Sequence, residues 1–263
     1  MRTVKLELLR PGEVQNEKER CPVVYFPVSP LEWHGPHLPI GMDPLNAGAI
    51  STLLAEKNGG VVLPTLYWGT ERERTPEMLK NIGFNGDEWI VGMDFPANCM
   101  PSLYASEDVF GVTVREYLRL LVIQGYKLIV IVNGHGGENH IHTLERLAKE
   151  FTETTDSTVI YTFATYTMEE DKHDLGHAAK IETDILLSLY PDSVDLTTLP
   201  PKNEKIYNLD YAIVDGETFE GNPNSDFSVD SDPRDADAER GKCIIKHSVE
   251  VITDKIKQYL PSD

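Results

Sequence analysis

Glu32, His34 and Asp43 lie close together in the stretch SPLEWHGPHLPIGMD, residues 29–43, which holds one Glu, two His and one Asp but no Lys or Arg. Carboxylates gathered without a neighbouring cation invite one. In an extended backbone residues i and i+2 project to the same side, so Glu32 and His34 can act together while Trp33 turns into packing. Pro36 and Pro39 fix φ and restrict the path by which the chain returns Asp43 to the same place. A carboxylate–imidazole–carboxylate set with open positions suits Zn, Mn or Fe. The competing reading is a loop with a satisfied Glu–His hydrogen bond, and a short Glu-x-His pattern alone does not decide between them.

Two more stretches carry candidate chemistry. In NGHGGEN, residues 133–139, His135 projects from a Gly-rich turn. Such a turn at a helix N-terminus can cradle phosphate, although the carboxylate of Glu138 would repel the anion. A tight turn with a capping His is the plainer alternative. In HAAKIET, residues 177–183, the five residues from His177 to Glu182 span about 1.4 helical turns, so the two do not share a face. His177 is expected at the helix mouth and Glu182 inside, beside Ile181 and Ile185. A buried carboxylate needs a partner there, and a metal or a salt bridge would serve equally.

The elements that must position these groups follow from periodicity. VVYFPVSP (23–30), VVLPTLYWG (61–69), LIVIV (128–132) and TVIYTFATY (158–166) read as buried strands. Helices are expected from Asp43, as N-cap with Pro44 at the first helical position, to Gly59-Gly60, and over 106–126 with Val109, Val112, Val114, Leu118 and Leu121 inward. A helix with Ile141, Leu144, Leu147, Ala148 and Phe151 on one side follows LIVIV. Further helices are expected over 176–192 and from Asp232-Pro233 to about Leu260. Residues 71–105 read as an excursion of short elements near a site, and 200–233 as mostly loop. Strands alternating with helices predict an α/β fold, a mostly parallel central sheet with helices on both faces, and one domain over 1–263. Sites in such folds gather at the carboxyl ends of strands, where the Glu32 and His135 motifs fall.

The net charge of -19, from 24 basic and 43 acidic residues, disfavours nucleic acid and anionic membranes as partners. Three scattered cysteines form no disulfide framework and fit a reducing cytoplasm. The N-terminal residues lack the apolar core of a signal peptide, and no apolar run is long enough to span a membrane. The acidic stretch Asp226 to Asp232 lacks the Gly and terminal Glu of a calcium loop.

Taken together, the three motifs resemble those of the creatininase (creatinine amidohydrolase) family. The pattern E-x-H-G-P-H-L-P-x-x-x-D is intact from Glu32 to Asp43. N-G-H-G-G runs from Asn133 to Gly137. H-A-G-x-x-E-T runs from His177 to Thr183 with Ala179 in place of Gly. The resemblance covers about residues 20–70 and 105–260. It implies a dinuclear site of two divalent ions (Zn, Mn or Fe) in an α/β fold, often assembled as hexamers, acting on a small-molecule substrate. It implies that Glu32 and His135 bind one ion, His34 the second, and that Asp43 bridges them. Glu182 or Glu138 completes the second ion's set; the Gly-Gly spacing after His135 favours Glu182, leaving Glu138 to the pocket or its support. His177 matches the family's proton-transfer residue, with His37, Thr70 and Gly136 in substrate-binding or supporting places.

The implied reaction is hydrolysis of a cyclic amide or formamide C–N bond by a metal-bridging hydroxide. The Trp-rich stretch that embraces creatinine is not evident near His177, so creatinine itself is an unexpected substrate. Family members also include a hydrolase that opens a diketo-inositol ring by C–C cleavage, and a polyhydroxy cyclic diketone is the second expectation. A non-catalytic module that binds a phosphorylated ligand is the alternative of another class.

Overall fold

The seven residues Val23–Ser29 are all buried and form strand β1, which lies inside a wholly parallel sheet. This computed structural model describes residues 2–168, 176–219, 221 and 231–260. Strand β4 (Leu128–Asn133) pairs with β1 on one side and with β5 (Thr158–Phe163) on the other. The other flank of β1 is covered by two short pieces, β2 (Val61–Val62) and β3 (Leu66–Tyr67). The expected strand 61–69 is therefore interrupted, and proline chemistry supplies the reason. Pro64 lies in the gap, Phe26 and Pro27 of β1 lie opposite it, and neither proline has an N–H to give a ladder.

Helices cover both faces, and the two-residue period of the strands feeds each layer. Tyr25, Val130 and Ile160 point to helices α2 (Met42–Asn58), α6 (Lys180–Leu189) and α9 (Ala238–Lys257). Val24, Phe26, Ile129, Ile131 and Val159 point to α4 (Glu107–Ile123) and α5 (Glu138–Thr154). Each such Val or Ile contributes roughly 1.5–3 kcal/mol of burial. A third apolar cluster sits apart. Leu79 and Ile82 of α3 (Pro76–Ile82), with Ile90, Met93 and Phe95, pack on Ala212 and Val214. The 71–105 excursion is thus folded in short elements, as expected, against the segment that carries α7 (Asn208–Tyr211) and α8 (Gly216–Phe219).

Several boundaries differ from the periodicity. Helix α1 (Pro11–Arg20) buries only Glu17, so no apolar stripe announces it; Pro11 at its start and Glu13 in its capping box do. Helix α2 begins one residue before Asp43, with Gly41 as N-cap, because Met42 N–H already bonds to the Pro39 carbonyl. Asp43 lies in the first turn and its side chain caps nothing. On α4 the buried stripe is Phe110, Gly111, Val114, Leu118 and Leu121, and Val109 and Val112 lie on the opposite, exposed face. Asp232 caps a single 3-10 turn at Pro233–Asp235, and the last helix starts only after Asp237, which accepts from Glu239 N–H. Arg234 explains the break: its guanidinium reaches the carbonyls of Pro200, Pro201 and Glu204 and holds this stretch against the 200–205 loop. The 176–192 helix is confined to α6, since His177 pairs in both directions with the Val214 backbone.

Candidate metal centre

The centre is assembled at the carboxyl ends of β1 and β4. Past β1 the chain folds back, with Glu32 N–H on the Ile40 carbonyl, and delivers Asp43 into the first turn of α2. Past β4 the Asn133 side chain brackets the next turn, accepting from His135 N–H at 2.9 Å and donating to the His135 carbonyl at 2.7 Å. Gly134 is required between them, because a Cβ there would overlap the Asp43 carbonyl. That close approach is what brings Asp43 beside His135.

Five side chains converge. Glu32 Oε2 lies 2.8 Å from His135 Nδ1. The two oxygens of Asp43 diverge, Oδ2 lying 3.2 Å from His135 Nδ1 and Oδ1 3.3 Å from His34 Nε2. Glu182 Oε2 lies 3.7 Å from His34 Nε2. Ligand atoms of Glu32, Asp43 and His135, and those of His34, Asp43 and Glu182, each fall within 4.8 Å of one another. A set of Glu32, His34 and His177 meets the same limit. Trp33 turns away, as the i, i+2 rule expects, and donates its Nε1–H to the Tyr211 carbonyl.

This donor set fits divalent cations. Among the described residues no Lys or Arg pairs with Glu32, Asp43 or Glu182. His34 Nε2 is buried between two carboxylates without a hydrogen-bond partner. Without an ion, protons take the place of positive charge. Burial alone would lower the pKa of His34, but the Asp43 and Glu182 carboxylates override it and raise it to about 10. Burial likewise opposes, and Glu32 and Asp43 overcome, the rise at His135, which ends well above the ordinary imidazole value. Burial pushes Glu182 up to about 7.

A cavity of about 380 Å³ opens over these groups and is also lined by Glu71, Arg74, Gly136, Glu138 and His177. The His177 ring lies with its centroid 4.3 Å from that of His34, tilted by 37°, and its Nε2–H donates to the Trp33 carbonyl at 2.6 Å. Burial, then the neighbouring His34, lowers its pKa to about 4, so its ring is neutral near pH 7. Glu138 stands on the rim with its side chain 71% exposed, against 20% for Glu182, and belongs to none of the converging sets. Gly136 lines the cavity. Thr70 and His37 do not: Thr70 is fully buried and accepts from Asn139 Nδ2, and His37 meets the Thr183 hydroxyl at 3.1 Å behind the ligating side chains. The stretch 169–175 just before His177, and residues 226 and 230 of the acidic stretch, lie outside the described residues.

Sequence patterns left out Tyr104, whose hydroxyl donates to Glu32 Oε1 at 2.6 Å and accepts from Met93 N–H. Burial and the adjacent carboxylate hold that phenol well above its usual pKa, so it remains a donor. Its position, 72 residues from Glu32, carried no local signal.

The chain as a whole is similar to known proteins in sequence and in fold. The family model described as "Creatininase: Creatinine amidohydrolase" matches residues 7–256. A creatinine amidohydrolase of Pseudomonas putida is 24% identical, covering 91% of this chain and 90% of the relative. Among solved structures, a creatininase variant complexed with creatine superposes with a TM-score of 0.69 at 24% identity, covering 99% of this chain and 100% of that one. A manganese form of creatininase gives 0.67 at 22%, again covering 99% and 100%.

Proposed function

This chain belongs to the creatininase family and is a metal-dependent hydrolase, and we propose that it cleaves a cyclic amide or formamide C–N bond with two divalent ions. In this reading Glu32 and His135 would hold one ion, His34 and Glu182 the other, with Asp43 available to both. The observation that carries it is the splayed Asp43 carboxylate, with one oxygen toward each imidazole. Zn, Mn or Fe ions held there would lower the pKa of a bound water and polarise the substrate carbonyl.

The chain's own groups do the rest. Tyr104 occupies one oxygen of Glu32 and leaves the other toward His135. His177, tied to the Trp33 carbonyl through Nε2–H, keeps Nδ1 as a proton acceptor in a neutral ring. That atom takes the proton released by the attacking water and delivers it to the leaving nitrogen. Creatinine is not the substrate proposed: the three Trp are Trp33, Trp68 and Trp89, and none lies near His177 in sequence.

The chain acts as one domain on a small molecule, in a reducing compartment that suits its three free cysteines. Among the described residues no helix is long and apolar enough to cross a membrane. The exposed apolar face of α4, with Val109, Val112, Leu120 and Ile123, supports a homo-oligomer; that it is a hexamer is what the family resemblance implies.

The test is a panel of lactams, formamides and cyclic ketones offered to Mn-, Zn- and Fe-loaded protein. Turnover of a C–N substrate is expected, with kcat in His177→Ala lowered about 100-fold or more. Turnover of cyclic ketones alone would replace the C–N reading with C–C ring opening, and an undiminished His177→Ala rate would remove His177 from proton transfer.

A further inference from the structure

Arg74 is the sole Lys or Arg among the described residues that line the cavity. It comes from the 71–105 excursion and is built in firmly. Its Nε–H donates to the Gly92 carbonyl at 2.9 Å, and its Nη2 donates to Glu71 Oε2 at 2.9 Å and to Met93 Sδ at 3.7 Å. Its Nη1 makes no hydrogen bond to a described residue, and the side chain is 20% exposed where the cavity reaches it.

Glu71, the anchor, is itself buried between two glycines that make room for it. A Cβ on Gly92 would stand 2.6 Å from Glu71 Cγ, and one on Gly137 would stand 3.2 Å from Glu71 Cδ. Gly137 belongs to the turn that presents His135, so the guanidinium is positioned from the same backbone as the metal-ligating groups. Beside it Met78, Met93 and Phe219 give the cavity an apolar wall. With Nε and Nη2 engaged, the N–H groups of Nη1 remain to donate, in the guanidinium plane, to an oxygen acceptor.

We propose that Arg74 is a specificity-determining residue, its Nη1 donating to a carboxylate or carbonyl oxygen that the substrate carries in addition to its scissile amide. The substrate is then compact, with a flat apolar body against Met78, Met93 and Phe219, the amide at the ions and a second planar oxygen group at Arg74. This rests on the proposed hydrolase site.

The test uses metal-loaded protein and three probes: pyroglutamate (a lactam with a carboxylate), succinimide (two ring carbonyls) and pyrrolidinone (a lactam alone). Binding is measured by calorimetry, with metal content and melting temperature recorded for every variant. Wild type is expected to prefer pyroglutamate or succinimide over pyrrolidinone, the preferred probe showing whether the group is a carboxylate or a second carbonyl. Arg74→Met should cost that preference about 10- to 100-fold, with Arg74→Lys between and pyrrolidinone unchanged. Because Arg74→Met strands the buried Glu71, the Glu71→Gln/Arg74→Met double variant is measured beside it and should show the same loss. Metal-loaded protein that shows no preference, or a loss equal for all three probes and tracking a fall in melting temperature, overturns the assignment. Failure of wild type to hold metal would instead strike at the hydrolase reading itself.

Discussion

In the proposed two-ion site two glutamates compete to complete the second set, and burial separates them. Glu182 lies 3.7 Å from His34 and accepts Ala178 N–H, whereas Glu138 is mostly in solvent and 4.0 Å from His142. Glu182→Gln should therefore lower the bound metal to about one ion per chain, and Glu138→Gln should leave it intact. Elemental analysis distinguishes them, and the reverse pattern would reassign the ligand. Proton linkage offers a second check. Metal-free His34, with its pKa raised to about 10, and His135, raised well above its usual value, hold protons at pH 8 that an ion must displace. Metal binding at pH 8 should release about two protons, and affinity should fall as the pH is lowered. The readout is the dependence of calorimetric heat on buffer ionisation; no release would contradict the ligand set. The spacing of Glu32, His34 and Asp43 was legible in sequence because strand and proline geometry are local. Tyr104 was not, because its role arises from an excursion that folds back across 72 positions to reach Glu32.

At the scale of elements, the site depends on α2 docking its first turn against the turn after β4. Gly134 is the contact point, so Gly134→Ala should destabilise the fold by about 1–3 kcal/mol and loosen metal binding through Asp43. Denaturant unfolding and metal titration measure the two effects, and a silent substitution would show that the close approach is dispensable. The parallel sheet and its two helical layers were readable because β1 and β4 are continuous apolar runs and α5, α6 and α9 carry clear stripes. The misreadings have local causes. The strand at 61–69 breaks where two prolines face each other. Helix α1 buries a single Glu and so shows caps without a stripe. On α4 an apolar residue on the outward face mimics one on the inward face, and composition alone cannot tell them apart.

At the scale of the molecule, that outward face is the feature a lone chain explains least well. Val112 is 68% exposed and Ile123 66%, on a protein whose net charge of -19 otherwise keeps copies apart. Val112→Asp is expected to lower the mass measured by light scattering while leaving metal content unchanged; an unchanged mass would move the proposed interface elsewhere. Charge compensation inside the site is tested without any substrate. Elemental analysis of the purified chain, beside Asp43→Asn, counts the ions directly. About two transition-metal ions per chain are expected in wild type, with loss of both when the shared carboxylate is neutralised. A wild-type chain that holds no ion, or an Asp43→Asn chain that keeps both, would contradict the proposed two-ion site.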